Sequence, residues 1–329
     1  TVVEGESVRT GVTAVIPVEG TAFSQMPPAA IQVLNGAGEM TGRSQVDEYG
    51  LLESPVMITN TLSVGTVHRG VIEWLRSKEP TIGAIHFSIP VVAETYDGFL
   101  NDIAGQHVTE QHVFEALESA TSGPVAEGCV GGGTGMMLYG FKGGIGTSSR
   151  VVEIEDTPYT VGVLVQGNYG VRELLLVDGV PVGREIQDLR PERGTELPAP
   201  PRDGSIIVVI ATDAPFTDRQ LARLCRRGML GLGMIGATAT HGSGDILIAF
   251  SNHPDVLVDR FSTEPVLTAP HINDRRIDPF FQATVEATAE AVLNAMVAAE
   301  DTTGFNGNRA YALPHDRLVE IMRKYGRLA

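Results

Sequence analysis

Cysteine is scarce in this chain: Cys129 and Cys225 are the only two among 329 residues, far apart and in no metal-type spacing. A disulfide framework and a cysteine-ligated zinc site are thereby excluded as organising principles, and a reducing, cytoplasmic setting is expected, with a periplasmic one left open. Tryptophan occurs once, and aromatic residues make up 6% of the chain. No apolar run of about 18 residues appears, so the pattern of a membrane-spanning helix is missing. Residues Thr1 to Arg9 lack the basic-then-apolar design of a secretory signal, which says little of a chain that does not begin with Met. Basic residues are outnumbered, 24 Lys and Arg against 40 Asp and Glu, and a net charge of −16 repels a phosphate backbone unless a basic patch offsets it. The densest basic stretch, Arg219 to Arg227, falls on a helical pattern and reads as a solvated face, so neither nucleic acid nor membrane is an expected partner. His86, His112, His271 and His315 have no ligand spacing to one another.

Glycine is abundant, with 38 residues, and short β-type runs alternate with helical patterns. Strands are expected at Val12 to Val18, Ala30 to Leu34, Ile82 to Val92, Thr160 to Gln166, Glu173 to Val177 and Asp245 to Phe250, where β-branched residues cluster between turn residues. Helices are expected at Thr66 to Leu75, Thr109 to Ser119, from a Thr217 cap to about Leu230, and over the Ala-rich Gln282 to Ala299. Trp74 falls on the first of these and is a core candidate. The glycine-dense stretch from Gly128 to Arg150 fails the Walker pattern, because Lys142 is followed by Gly143, and fails the dinucleotide fingerprint as well. It reads as a wall where backbones pack closely. The sum is an α/β protein with two halves meeting at Arg190 to Gly204.

That meeting point holds the main chemical signal. Arg190 to Gly204 has four prolines and two glycines in fifteen residues, which suits an exposed loop. Ser205 then opens SIIVVIA, the pattern of a strand buried on both faces, with no spacer. A serine so delivered can attack its own preceding carbonyl, and glycine before it offers little hindrance. The α-amine so freed, with an ordinary pKa of about 7.7–8.0, can serve as general base for the same hydroxyl. Taken alone, the feature is more simply a serine that starts a strand.

Other motifs change that balance. GTGMMLYGFKGGIGTSSR (Gly133 to Arg150), QGNYG (Gln166 to Gly170), DGSIIVVIATDAP (Asp203 to Pro215) and HGSGDILIAFS (His241 to Ser251) together resemble the DmpA-type aminopeptidases, a family that includes the β-aminopeptidases. LNGAGEMTG (Leu34 to Gly42), LLESPVMITNTLSVGTV (Leu51 to Val67) and PVVAETYDGFLNDI (Pro90 to Ile103) extend the resemblance over nearly the whole chain. It implies a four-layer αββα sandwich, related in topology to the ornithine acetyltransferases, and a single catalytic domain, 1–329, cut into α chain 1–204 and β chain 205–329. Ser205 matches the family nucleophile, Ser243 and Asp245 its assisting serine and acid, and Asn168 the side-chain oxyanion donor. Members differ between Asp and Glu at the Asp245 place. No metal or organic cofactor is implied, and a homotetramer of αβ heterodimers is.

An aminopeptidase must also hold a cationic substrate amine. Glu94, directly after a buried-type strand, is the candidate anion and Tyr96 a neighbouring hydroxyl, with Asp97 and Asp102 competing for the role. His241 is assigned to packing or to supporting the motif from behind, and Lys142 either to holding the cleavage site or to an ion pair. The leading expectation is release of N-terminal α- or β-amino acids from short peptides and amides through an acyl-Ser205 ester. The alternatives are an acyltransferase using the same acyl-enzyme and an uncleaved, non-catalytic member of the fold.

Overall fold

The computed structural model describes residues 1–195 and 204–328. Of the strands that build the two main sheets, four lie in the first 95 residues: β1 (Thr13–Val15), β2 (Ala29–Gly36), β3 (Val56–Asn60) and β4 (Val91–Thr95). A short hairpin, β5 (Met137–Leu138) and β6 (Phe141–Lys142), leads into a long one, β7 (Gly144–Ile154) and β8 (Thr157–Asn168). The main sheets are completed by β9 (Ser205–Thr212) and β10 (Gly244–Ser251). The main helices are α1 (Val64–Lys78), α2 (Glu110–Glu118), α3 (Asp218–Met234) and α4 (Asp278–Val297).

Alternation along the buried strands sorts these elements into layers, since successive side chains point to opposite faces. Along β9, Ile206, Val208 and Ile210 join a cluster with Leu221 and Leu224 of α3 and Ala287 and Ala291 of α4. Ile207 and Val209 face the other way, packing with Val56 and Ile58 of β3 and Val91 and Ala93 of β4. Met57 and Val92, the intervening residues of β3 and β4, meet Val67 and Val71 of α1 and Val113 and Leu117 of α2 in a third cluster. Helices, a five-stranded sheet ordered β7-β8-β9-β10-β2, a three-stranded sheet ordered β1-β3-β4, and helices again make the expected αββα sandwich.

Local chemistry explains the elements that carry the site. β9 and β10 are parallel and need a crossover, which α3 supplies. Thr217 caps α3, accepting from the Gln220 amide at 3.3 Å while Gln220 Oε1 accepts from the Thr217 amide at 3.2 Å. Helix α4 lies against β7 so closely that a Cβ on Gly146 would sit 1.9 Å from the Ala291 carbonyl oxygen. The glycine-dense stretch is therefore the close-packed wall that its composition suggests. Trp74 is buried on α1 and donates to Glu118 at 2.9 Å.

Some expectations fail. Ile82 to Val92 is not a strand except at Val91 and Val92: the Thr81 carbonyl gathers the amides of Ala84, Ile85 and His86 into a turn, and Ile85 and Phe87 are 76% and 63% exposed. Glu173 to Val177 is a 3₁₀ turn over Arg172–Leu174 and then irregular chain, although the turn at Asp178-Gly179 is present between bridged Val177 and Val180. The 11-residue β7 has no counterpart in the expectations, because half of its alternate residues are Gly, Ser or charged. Nor do two halves meet at a boundary: β9 pairs with β8 along its whole length, and β10 pairs with β2. Of the expected exposed loop, 196–203 lie outside the described residues, Glu192 bridges Arg309, and Gly204 is buried. Among the described residues no helix is long and apolar enough to cross a membrane.

Ile207 is fully buried between the two sheets, so Ile207→Ala should cost about 2–5 kcal/mol. The solvated Ile85→Ala should stay within about 0.5 kcal/mol. Urea titration of both variants checks the layer assignment.

Candidate active site

Strand register brings the site together. Asn168, the last residue of β8, lies directly opposite Ser205, the first of β9, and Ser205 lies opposite Gly244, the first of β10. Directly opposed residues have Cβ atoms about 4.5–5.5 Å apart, so Asn168 and Ser205 are cross-strand neighbours. By alternation Ser205 shares the inter-sheet face with Ile207 and Val209. Asn168 shares it with Gln166, whose amide reaches across to the Thr59 carbonyl at 3.0 Å and to Thr95 Oγ1 at 2.9 Å.

The Gly204-Ser205 bond is held in a tight frame. A Cβ on Gly204 would lie 2.3 Å from the Asn168 carbonyl oxygen, so no other residue fits there without displacing β8. The Gly244 amide donates both to the Gly204 carbonyl oxygen and to Ser205 Oγ, each at 3.2 Å. One N–H thus holds the hydroxyl and the carbonyl it would attack. Asn168 Oδ1 accepts from the Met137 amide at 2.8 Å, which settles the orientation of its carboxamide and leaves Nδ2 as the donor.

Ser243 and Asp245 flank Gly244 and share a face, with Ser243 Oγ donating to Asp245 Oδ1 at 2.6 Å. Both are 2% exposed. Burial raises the Asp245 carboxyl to about 6, against the lowering effect of the Ser243 bond. Two buried tyrosines, Tyr139 and Tyr169, lie 3.4 Å apart at their hydroxyls, and burial followed by nearby charge, Asp245 included, pushes both up. Asn35 on β2 donates to the Thr240 and His241 carbonyls at 3.1 Å each and also to the Ser243 carbonyl, pinning the loop that leads into β10. His241 itself is exposed, which corrects the packing alternative and agrees with a supporting one: its contribution is the backbone carbonyl that accepts from Asn35.

Glu94 is 3% exposed at the end of β4 and accepts from the Glu39 amide at 3.0 Å and from Thr61 Oγ1. A Cβ on Gly38 would lie 3.1 Å from Glu94 Oε1 and 3.0 Å from Gly244 Cα, so one glycine separates this carboxylate from the Ser205 frame. Burial raises the Glu94 pKa, opposed by the two hydrogen bonds. Asp97 is buried too, bonded to Asn101 Nδ2 at 3.0 Å and to Thr10, with Oδ2 unpartnered, and burial pushes it up to about 7. Asp102 is turned away and sits 3.3 Å from His107 Nε2. Tyr96 is 42% exposed with its ring over Gly98, and no contact ties its hydroxyl to Glu94. Of the four amine-site candidates, Glu94 is the one next to the Ser205 frame.

Sequence reasoning missed Asn35, Gly38, the Gly244 amide and Arg172. The first two lie in the LNGAGEMTG motif, a signal that was present but not resolved into roles. Lys142 makes no ion pair with a carboxylate among the described residues: it is fully buried and donates to the Gly133 and Gly143 carbonyls at 3.3 and 2.8 Å. Among the described residues no group of three His, Cys, Asp or Glu is gathered to hold a metal ion.

A serine hydroxyl held beside the preceding glycyl carbonyl, a carboxamide across the strand from it and a buried carboxylate one glycine away suit a hydrolase of the N-terminal-nucleophile class. Residues 1–310 match peptidase family S58, and the chain belongs to that family. It is 49% identical to the β-peptidyl aminopeptidase BapA of Sphingosinicella microcystinivorans over 98% of this chain and 82% of that protein. It superposes on a β-aminopeptidase from a Burkholderia species with a TM-score of 0.88, at 43% identity over 98% of this chain and 89% of the other. It superposes likewise on the L-aminopeptidase D-Ala-esterase/amidase of Ochrobactrum anthropi, a variant of the Ntn hydrolase fold, with a TM-score of 0.86 at 39% identity, over 100% and 97% of the two chains.

The buried acids make stability depend on pH. The folded pKa of Asp97, about 7, lies above its ordinary 3.8, as does that of Asp245 at about 6. Between those values the native state holds protons that the unfolded chain has released, so stability falls as pH rises from about 4 to 7. Asp97→Asn should flatten the upper part of that fall, read as urea midpoints between pH 4 and 8.

Proposed function

We propose that this chain is a self-processing aminopeptidase that releases N-terminal residues, β-amino acids among them, from short peptides and amino-acid amides. The observation that carries the proposal is the Gly244 amide bonded at once to Ser205 Oγ and the Gly204 carbonyl oxygen. Ser205 Oγ attacks the Gly204 carbonyl carbon, the Gly204–Ser205 C–N bond breaks as the nitrogen takes up a proton, and an ester remains. Water hydrolyses the ester, giving chains 1–204 and 205–329 and freeing the Ser205 α-amine.

In turnover that amine takes the hydroxyl proton, and Ser205 Oγ attacks the substrate carbonyl. Asn168 Nδ2 and the Gly244 amide donate to the oxyanion. The protonated amine gives its proton to the departing amine, while Asp245, through Ser243, favours the protonated form; water then hydrolyses the acyl-Ser205 ester, freeing the amino acid and restoring the hydroxyl. Glu94 holds the substrate ammonium and so fixes the site as an exopeptidase site. The choice between α- and β-substrates is a matter of about one methylene, worth only 1–3 kcal/mol, and the 49% identical β-peptidyl relative supports the β class. The proposal includes a homotetramer of αβ heterodimers, for which exposed Ile85, Phe87, Val266 and Leu267 offer apolar surface.

Intact mass and N-terminal sequencing under denaturing conditions test processing. Two chains are expected, the second beginning Ser-Ile-Ile, whereas Ser205→Ala and Gly204→Ala should each remain one chain; a wild-type chain that stays whole would sink the proposal. For the cleaved enzyme, Asn168→Ala should lower kcat on a β-amino-acid p-nitroanilide by about 10²–10³. Glu94→Gln should act mainly on KM, and the two variants should not exchange these signatures.

A further inference from the structure

Asn168 stands at the end of its strand with its carboxamide half-buried, and the Met137 amide alone decides which of its two polar atoms faces the nucleophile. Met137 belongs to the β5–β6 hairpin, two residues on each side, too short to hold its own shape. Its turn residues, Tyr139 and Gly140, have φ of 51° and 71°. A bulky side chain at positive φ is strained and persists only where the surroundings enforce it.

One buried cationic side chain grips the turn itself, and a second anchors the base of the hairpin. Arg172, 2% exposed, donates from Nε to the Tyr139 carbonyl at 2.7 Å and from Nη2 to the Gly140 carbonyl at 2.6 Å, so one fork takes both carbonyls of the turn. Its other bonds go to the Ile186 and Leu189 carbonyls at 2.9 and 2.7 Å, and its guanidinium lies 3.3 Å over the Phe141 ring of β6. Lys142, at the base of the hairpin and opposite Met137, ties it to the Gly133 and Gly143 carbonyls. Neither is paired with a carboxylate among the described residues, and burial lowers the pKa of both. Apolar side chains would fill this space at less cost, so an energetic burden of this kind calls for a role other than stability.

We infer that Lys142 and Arg172 are positioning residues for oxyanion stabilisation, clamping the β5–β6 hairpin so that the Met137 amide aims Asn168 Nδ2 at the reacting carbonyl. The inference rests on the reading of Asn168 as the oxyanion donor. The guanidinium fork matters here as geometry: an ammonium at residue 172 keeps the charge but has three donors for the four carbonyls, Tyr139, Gly140, Ile186 and Leu189, that Arg172 takes together.

A double-mutant cycle on the full-length protein tests it, with Arg172→Lys and Lys142→Met made alone and in an Asn168→Ala background. The readouts are the self-cleavage rate followed by intact mass, kcat and KM of the cleaved enzyme on an amino-acid p-nitroanilide, and melting temperature. Each single variant should lower the self-cleavage rate and kcat by about tenfold or more with KM within about twofold, yet add less than about twofold once Asn168 is alanine. Losses that multiply in full on the Asn168→Ala background would overturn the inference and leave Asn168 its role. An Asn168→Ala chain with wild-type rates would instead sink the reading of Asn168 itself. Should Lys142→Met not fold, Arg172→Lys decides alone: an unchanged kcat refutes the clamp.

Discussion

Everything at the site depends on one backbone donor, the Gly244 amide, being held at 3.2 Å from both the Ser205 hydroxyl and the Gly204 carbonyl. That arrangement exists because β9 and β10 run parallel and begin at the same level, Ser205 opposite Gly244. Neither glycine is replaceable at this spacing. A side chain on Gly204 would strike β8, and one on Gly244 would lie 2.8 Å from Gly38 Cα. The fold therefore brings the Gly204-Ser205 bond to the start of a central strand, where register, with little conformational freedom left, sets the position of the hydroxyl against the carbonyl.

Charge at the site is organised by burial. Glu94, Asp97 and Asp245 are each nearly inaccessible, and none is paired with a basic side chain among the described residues. Unpaired buried carboxyls resist ionisation, which is why all three are raised. Such an arrangement costs stability and prepares a place for a cation that the chain itself does not supply. A substrate ammonium at Glu94 and the protonated Ser205 amine near Asp245 are the cations that chemistry would bring. The overall charge of −16 has little part in this, since most surface acids are solvated or in ion pairs with Arg and Lys.

Legibility in the sequence followed locality. The apolar run after Ser205, the Thr217 and Thr109 helix starts and the Ala-rich α4 were readable because period and cap chemistry lie within a few residues. Ile82 to Val92 misled for the same reason: its composition suits a strand, but no neighbouring strand receives residues 82 to 90, and Pro90 brings no amide to a ladder. The β7 strand escaped notice because its glycines, which weaken a strand by local criteria, are there to let α4 approach at Gly146.

By itself the sequence determined an α/β class, the strand that Ser205 opens, and a glycyl-seryl bond placed with no spacer at the start of that strand. Family resemblance pointed to Asn168, Ser243 and Asp245, but not to the bonds that orient them. Tertiary structure alone decided that Asn168 lies across from Ser205, that Asn35 pins the loop before Ser243, that Glu94 and not Asp102 stands one glycine from the Ser205 frame, and that Arg172 and Lys142 bond the hairpin that orients Asn168. The physical reason is that hydrophobic periodicity is carried by neighbours in the chain, whereas strand register and the aim of a polar side chain are set by residues tens to hundreds of positions away.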